Sequence, residues 1–175
     1  MKAPYRNAIR SKESIKKALI SLLEQKQDIS EITVSEIVEL ADVNRGTFYN
    51  HYNNIMDVVE ELENNLLDGL TSCFKATAAS KDIRGFIKSL TMFFRENGEA
   101  CRAIAKDLSR SVFDSLKIRF LIQMKTIQPN IDEFKMLFII NGLAGIYFNY
   151  FENRINLSLD DIEAQAIDLI EKMVK

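Results

Sequence analysis

The twenty residues from Thr33 to Tyr52, TVSEIVELADVNRGTFYNHY, constrain this chain most. Thr33-Val34-Ser35-Glu36 is a capping-box pattern, in which the Thr and Glu side chains each satisfy a backbone N–H left free at a helix start. Val34, Ile37, Val38 and Ala41 then recur on one helical face. Asp42-Val43-Asn44 follows as a tight turn, and Asn44 is suited to cap the next helix. Val43 and Phe48 are spaced as a hydrophobic staple, which would fix the angle at which that helix leaves the turn. The second helix is predicted over Arg45 to Tyr52, anchored by Phe48 and Tyr52. Upstream, Ile15, Ala18, Leu19, Leu22 and Leu23 lie on one face of a further helix.

Two short helices across a tight turn, the second with a small-residue start and polar outward positions, have the layout of a helix-turn-helix that enters the DNA major groove. Arg45, Gly46, Thr47, Asn50 and His51 are left largely outward. Arg45 is suited to guanine O6 and N7, and Asn50 to adenine. Tyr49 and His51 are better placed for phosphate oxygens, which position a protein without reading sequence. Gly46 would let backbone approach DNA. Thr33, Ser35, Asn44 and Asn54 complete the expected DNA-facing set.

From Ser11 to Leu62 the chain resembles the TetR family of bacterial transcription regulators; beyond that stretch only the pattern of helices is similar. The family usually has Gly where Asp42 stands here, and Asp tolerates left-handed backbone better than most residues. It usually has a phosphate-binding Lys where this chain has Ile55. Asn53, Asn54 and the start of the fourth helix are expected to replace that contact in part. The resemblance implies an operator-binding homodimer whose last two long helices form a four-helix interface, and a pocket among the middle helices for an effector.

The 175 residues carry a net charge of −2, which suits a DNA binder only once the charge is located. Lys2, Arg6, Arg10, Lys12, Lys16 and Lys17 face only Glu13 in the first twenty residues, and the remainder is acidic. A basic arm, chiefly Arg6, Arg10 and Lys12, is therefore expected ahead of the first helix, adding affinity through phosphates. The same residues read alternatively as a solvated tail.

Sparse Pro and Gly and no sustained alternation predict an all-α chain: residues 1–53 an N-terminal arm and helix-turn-helix domain, 54–175 a helical regulatory and dimerisation domain. Helices are expected near 54–77, 83–96, 99–107, 112–128 and 134–151, with a last one opened by Ser158-Leu159-Asp160-Asp161. Asn97-Gly98 reads as a C-cap pair. The helix Phe134 to Phe151 is apolar nearly all round and must be covered on all sides. Gly142 and Gly145 would admit a second copy closely, with Ile146, Ile162 and Leu169 joining the face, or they simply ease packing within the chain. Met92, Phe93, Phe94, Phe113, Phe120 and Met124 are candidates to line an effector pocket; the same set also reads as plain core.

Chemistry of other kinds finds little support. The only His, His51, sits on the expected recognition helix. There is no Gly-rich phosphate loop, metal-ligand cluster or paired nucleophile, so neither an enzyme nor a cofactor or metal is expected. Cys73 and Cys101 read as reduced thiols of a cytoplasmic protein. Met136 to Phe148 falls short of a membrane span. The expected partners are double-stranded operator DNA, a second copy of the chain, and an unidentified small-molecule or protein effector. The expected activity is repression relieved by the effector, through a fourth helix sharing apolar residues with both halves. The rival reading is an interaction protein on the same fold, its effector another protein or its DNA role architectural.

Overall fold

The computed structural model describes residues 3–26, 28–78, 82–107 and 110–174, with side chains described outside 3–6, 76–78, 104, 106–107, 110–114 and 116. Among the described residues the regular structure is helical, in nine α-helices and one short 3-10 turn. The chain divides into two compact units, Met1–Asn65 and Leu66–Lys175, the division falling within the fourth helix.

The first unit contains α1 (Ala3–Gln25), the 3-10 turn Ile29–Glu31, α2 (Val34–Leu40), α3 (Arg45–Tyr49) and the first turns of α4 (Ile55–Ala78). The face of α1 read from the sequence is buried: Ile15, Ala18, Leu19, Leu22 and Leu23 all lie in the core with Ile37, Phe48, Val58 and Val59. α1 starts earlier than expected. The residues read as an arm ahead of the first helix form its opening turns, a helix start with no strong cap in the sequence.

The second unit contains the remainder of α4 with α5 (Ile83–Glu96), α6 (Gly98–Asp107), α7 (Arg110–Ile127), α8 (Glu133–Phe151) and α9 (Leu159–Val174). α5 packs on α9, α7 on α8, and α8 also meets α6 and α9. The core centres on Phe86, Ile87, Met124, Ile139 and Ile170. Ser158 and Asp161 exchange backbone bonds to start α9, each at 3.0 Å. α8 ends with Asn153 at φ 55°, while Arg154 N–H donates to Asn149 C=O and Asn153 N–H to Tyr150 C=O. That is a Schellman end with Asn where Gly is commoner. Asn97 closes α5 as read, but Gly98 is the first residue of α6 and takes no left-handed conformation.

Candidate nucleic-acid interface and apolar cavity

Local hydrogen bonds shape the helix-turn-helix. Thr33 accepts from Glu36 N–H at 3.3 Å, and Glu36 accepts from Thr33 N–H at 2.9 Å, completing the capping box. Lys26 pairs with Glu36 at 2.7 Å and, with the Thr33 bonds, draws the carboxyl down to about 2. The turn then needs one left-handed residue, and Asp42 supplies it at φ 52°. Asn44 Oδ1 accepts from Thr47 N–H at 2.7 Å and from the Thr47 hydroxyl at 3.1 Å. A Cβ on Gly46 would sit 3.2 Å from that same Oδ1, so the glycine keeps the cap uncrowded. This local reason stands beside the backbone-approach argument from sequence.

α3 is shorter than expected, ending at Tyr49 with Asn50 as its C-cap. Phe48 is fully buried and Tyr52 nearly so. The Phe48 ring meets Tyr49 edge-on at 5.4 Å and Tyr52 at 5.7 Å. With those anchors inside, Arg45, Gly46, Tyr49 and Asn50 are exposed, and Thr47 and His51 half-buried. Arg45 donates to Ser35 Oγ at 3.1 Å, which holds the guanidinium on the outer side of the two helices. Thr33 and Ser35 are exposed at the start of α2. Asn54 caps α4 by accepting from Asp57 N–H at 3.2 Å, and Asn53 is tied to Asp57 through both its N–H groups.

The basic residues of α1 divide. Arg10 is exposed. Arg6 lies, by its side chain, outside the described residues. Lys12 instead pairs with Glu61 and sits over the Tyr52 ring at 5.3 Å, while buried Lys16 pairs with Glu13 and Glu61. Burial works to raise the Glu61 carboxyl, but the two lysines outweigh it and hold it below its usual value. Lys12 and Lys16 therefore tie α1 to α4.

In the second unit an apolar cavity of about 70 Å³ opens to solvent between α4, α5, α6, α7 and α8. Phe93, Phe94 and Phe120 line it as the sequence suggested. Met92 does not: it lies off the buried stripe Ile83, Phe86, Ile87, Leu90 and Phe94, and is 61% exposed. Met124 is fully buried core and is not part of the cavity wall. Phe113 lies, by its side chain, outside the described residues. Sequence reasoning missed Leu70, Phe74, Leu143, Tyr147 and Lys117 on the wall.

A separate apolar surface runs along α8. Phe134, Leu137, Phe138, Asn141, Gly142 and Ile146 are exposed at helical spacing, with Gly145 half-buried in the same row. Among the described residues, a Cβ on Gly142 or Gly145 would meet nothing within 4 Å. Leu169 of α9 is 56% exposed. Ile162 corrects the sequence reading: with Ala166, Ile167 and Ile170 it faces the core, at 2% exposure. α8 is long and apolar enough to cross a membrane by length and composition alone, and its inner face, Met136, Ile139, Ile140, Leu143 and Tyr147, is buried in this fold.

A solved structure described as a TetR transcriptional regulator from Streptococcus agalactiae 2603V superposes with a TM-score of 0.66, covering 95% of this chain and 97% of that one at 20% identity. The chain has the TetR regulator fold. The dihydroxyacetone kinase operon activator DhaS is similar too, at a TM-score of 0.58 and 19% identity over 94% of this chain and 96% of that one. No family model matches. In sequence, 57 residues are 35% identical to YxbF of Bacillus subtilis (strain 168), an uncharacterized HTH-type transcriptional regulator. That match takes in 33% of this chain and only 15% of YxbF. Within that fold α2 and α3, joined by the turn at Asp42, have the arrangement of a helix-turn-helix.

Proposed function

We propose that this chain is a DNA-binding transcriptional regulator acting as a homodimer on a two-fold symmetric operator, most simply a repressor released by an effector. One observation carries the reading. α3 is capped and anchored from within by Asn44, Phe48 and Tyr52, while Arg45, Tyr49 and Asn50 stand exposed. That is a rigid platform presenting guanine-, adenine- and phosphate-reading groups. The similarity to TetR-type and HTH-type regulators supports it.

The α8 row, with Leu169, is the proposed dimer face. Pairing of one surface with its copy gives a two-fold symmetric dimer, and the operator it would fit presents two half-sites one helical turn, about 34–36 Å, apart. The cavity is the proposed effector site. An effector that favours a subunit arrangement with another spacing weakens DNA binding by its differential affinity, and operator DNA weakens effector binding equally. Selection from random duplexes with the full chain tests the reading: an enriched motif with two-fold symmetry is expected. A pool that stays random, or an asymmetric single-copy motif, would overturn it.

A further inference from the structure

We propose that the cavity takes a ligand with an apolar body and a single anionic head, a carboxylate recognised by Lys117. The inference rests on reading the second unit as the effector-binding unit and names the chemical class of that effector.

Among the described residues the wall is aliphatic and aromatic except at three: Cys101, Tyr147 and Lys117. Cys101 is buried, and burial pushes its thiol up to about 12, so it stays neutral and offers only a weak donor. Tyr147 has no proton left to give. The Thr91 hydroxyl donates to Ile87 C=O at 3.1 Å, so at the 3.1 Å Thr91–Tyr147 contact the tyrosine must be the donor. A hydroxyl carries one hydrogen, and this one is used. Wall backbone lies within helices, where its N–H groups are paired. Lys117 is then the one strong donor, and the one charge, among the described residues of the wall.

Lys117 is half-buried. In that state a lysine stem covers apolar surface while its ammonium remains hydrated. Lys117 keeps an interaction of its own within the protein. An ammonium has three donors, so a carboxylate can join an existing partner. Among the described residues no acidic side chain lines the wall, so an organic cation would meet the like charge of Lys117 there. A neutral polar molecule would bury acceptors with one donor to answer them.

Size and access add a limit. The cavity, about 70 Å³, is roughly half the 150 Å³ of an apolar cavity known to admit benzene. The body should therefore be slender, with part of it in the open mouth. The Phe93 ring forms part of the wall and packs on Gly69, where a Cβ would lie 2.8 Å from ring atom Cε2.

The test compares octanoate, octanol and octylamine, which share a body and differ in head, by calorimetric titration of the full chain. Octanoate should bind at least about tenfold tighter than octanol, the effect of one hydrogen bond to a charged group. Octylamine should bind weakest. Lys117→Met should reduce the octanoate advantage to about threefold or less and leave octanol within about twofold. Ala144→Leu, which fills the cavity from its wall, should abolish binding of both. Equal binding of octanoate and octanol, or an advantage that survives Lys117→Met, would overturn the anionic ligand. Octanoate binding that survives Ala144→Leu would place it elsewhere and overturn it too. If none of the three binds at millimolar concentration, the effector-site reading itself fails.

Discussion

Phe138→Glu should convert a dimer into a monomer. Phe138 is 61% exposed within the chain, in the middle of the α8 row, with Phe134 stacked beside it at 6.3 Å. A Phe side chain offers on the order of 200 Å². Covering the exposed part would remove about 120 Å² from water, or about 3 kcal/mol per copy at ~25 cal/mol/Å². A two-fold interface counts each residue twice, so up to about 6 kcal/mol rests on this position in a dimer. Imperfect burial brings that towards about 3 kcal/mol, still roughly a hundredfold in the dimer dissociation constant. Glu adds the desolvation of two facing carboxylates. Sedimentation equilibrium over a concentration series is the assay. Met92→Glu is the control, because Met92 is equally exposed at 61% but lies on α5, away from the row. The native chain and the Met92 variant should form a micromolar or tighter dimer, and Phe138→Glu should be a monomer. A native monomer at micromolar concentration, or a Phe138 variant that dimerises as tightly as the native chain, would refute the reasoning.

Asn44→Ala removes the α3 cap and should cost about 1 kcal/mol, read as a roughly fivefold loss of hydrogen-exchange protection at the Thr47 amide, while Asn44→Ser should largely restore it. Arg45→Ala should cost about 1–3 kcal/mol on the selected site and relax one base position; an equal loss on non-specific DNA would mean that Arg45 only touches phosphate. Glu36 titrates far below its usual value of 4.5 because Lys26 and Thr33 stabilise its charge. Its folded value is depressed, so its contribution is complete above about pH 4.5 and is lost as pH falls towards about 2. Thermal melts of Glu36→Gln should therefore show a shallower decline with acid than the native chain over that window.

What could be read from sequence was what neighbouring residues decide. The Thr33–Glu36 box, the Asn44 cap and the left-handed turn at Asp42 involve partners within five positions, and all are present. The phase of α1 was equally plain, since five apolar residues repeat on one face. The errors came from partners far apart or from helix phase left unused. Lys12 looked free because Glu61 is forty-nine residues away. Met92 was grouped with its neighbours Phe93 and Phe94, although the stripe Ile83, Phe86, Ile87, Leu90 already placed it on the opposite side. Ile162 shares its face with Ala166 and Ile170, which was likewise countable. Lys117 carried no signal at all: a lysine on a helix reads as solvated until the surrounding walls are known.

The central claim is sequence-specific DNA binding by this helix-turn-helix, and the ratio of two affinities tests it most directly. The full chain is titrated onto its selected duplex and onto a scrambled duplex of equal length and composition, at one physiological salt concentration. Binding to the selected site should be at least about a thousandfold tighter, the usual lower bound for specific recognition. Equal affinities, both falling together as salt rises, would mean that the basic surface attracts DNA without reading it, and would contradict the account.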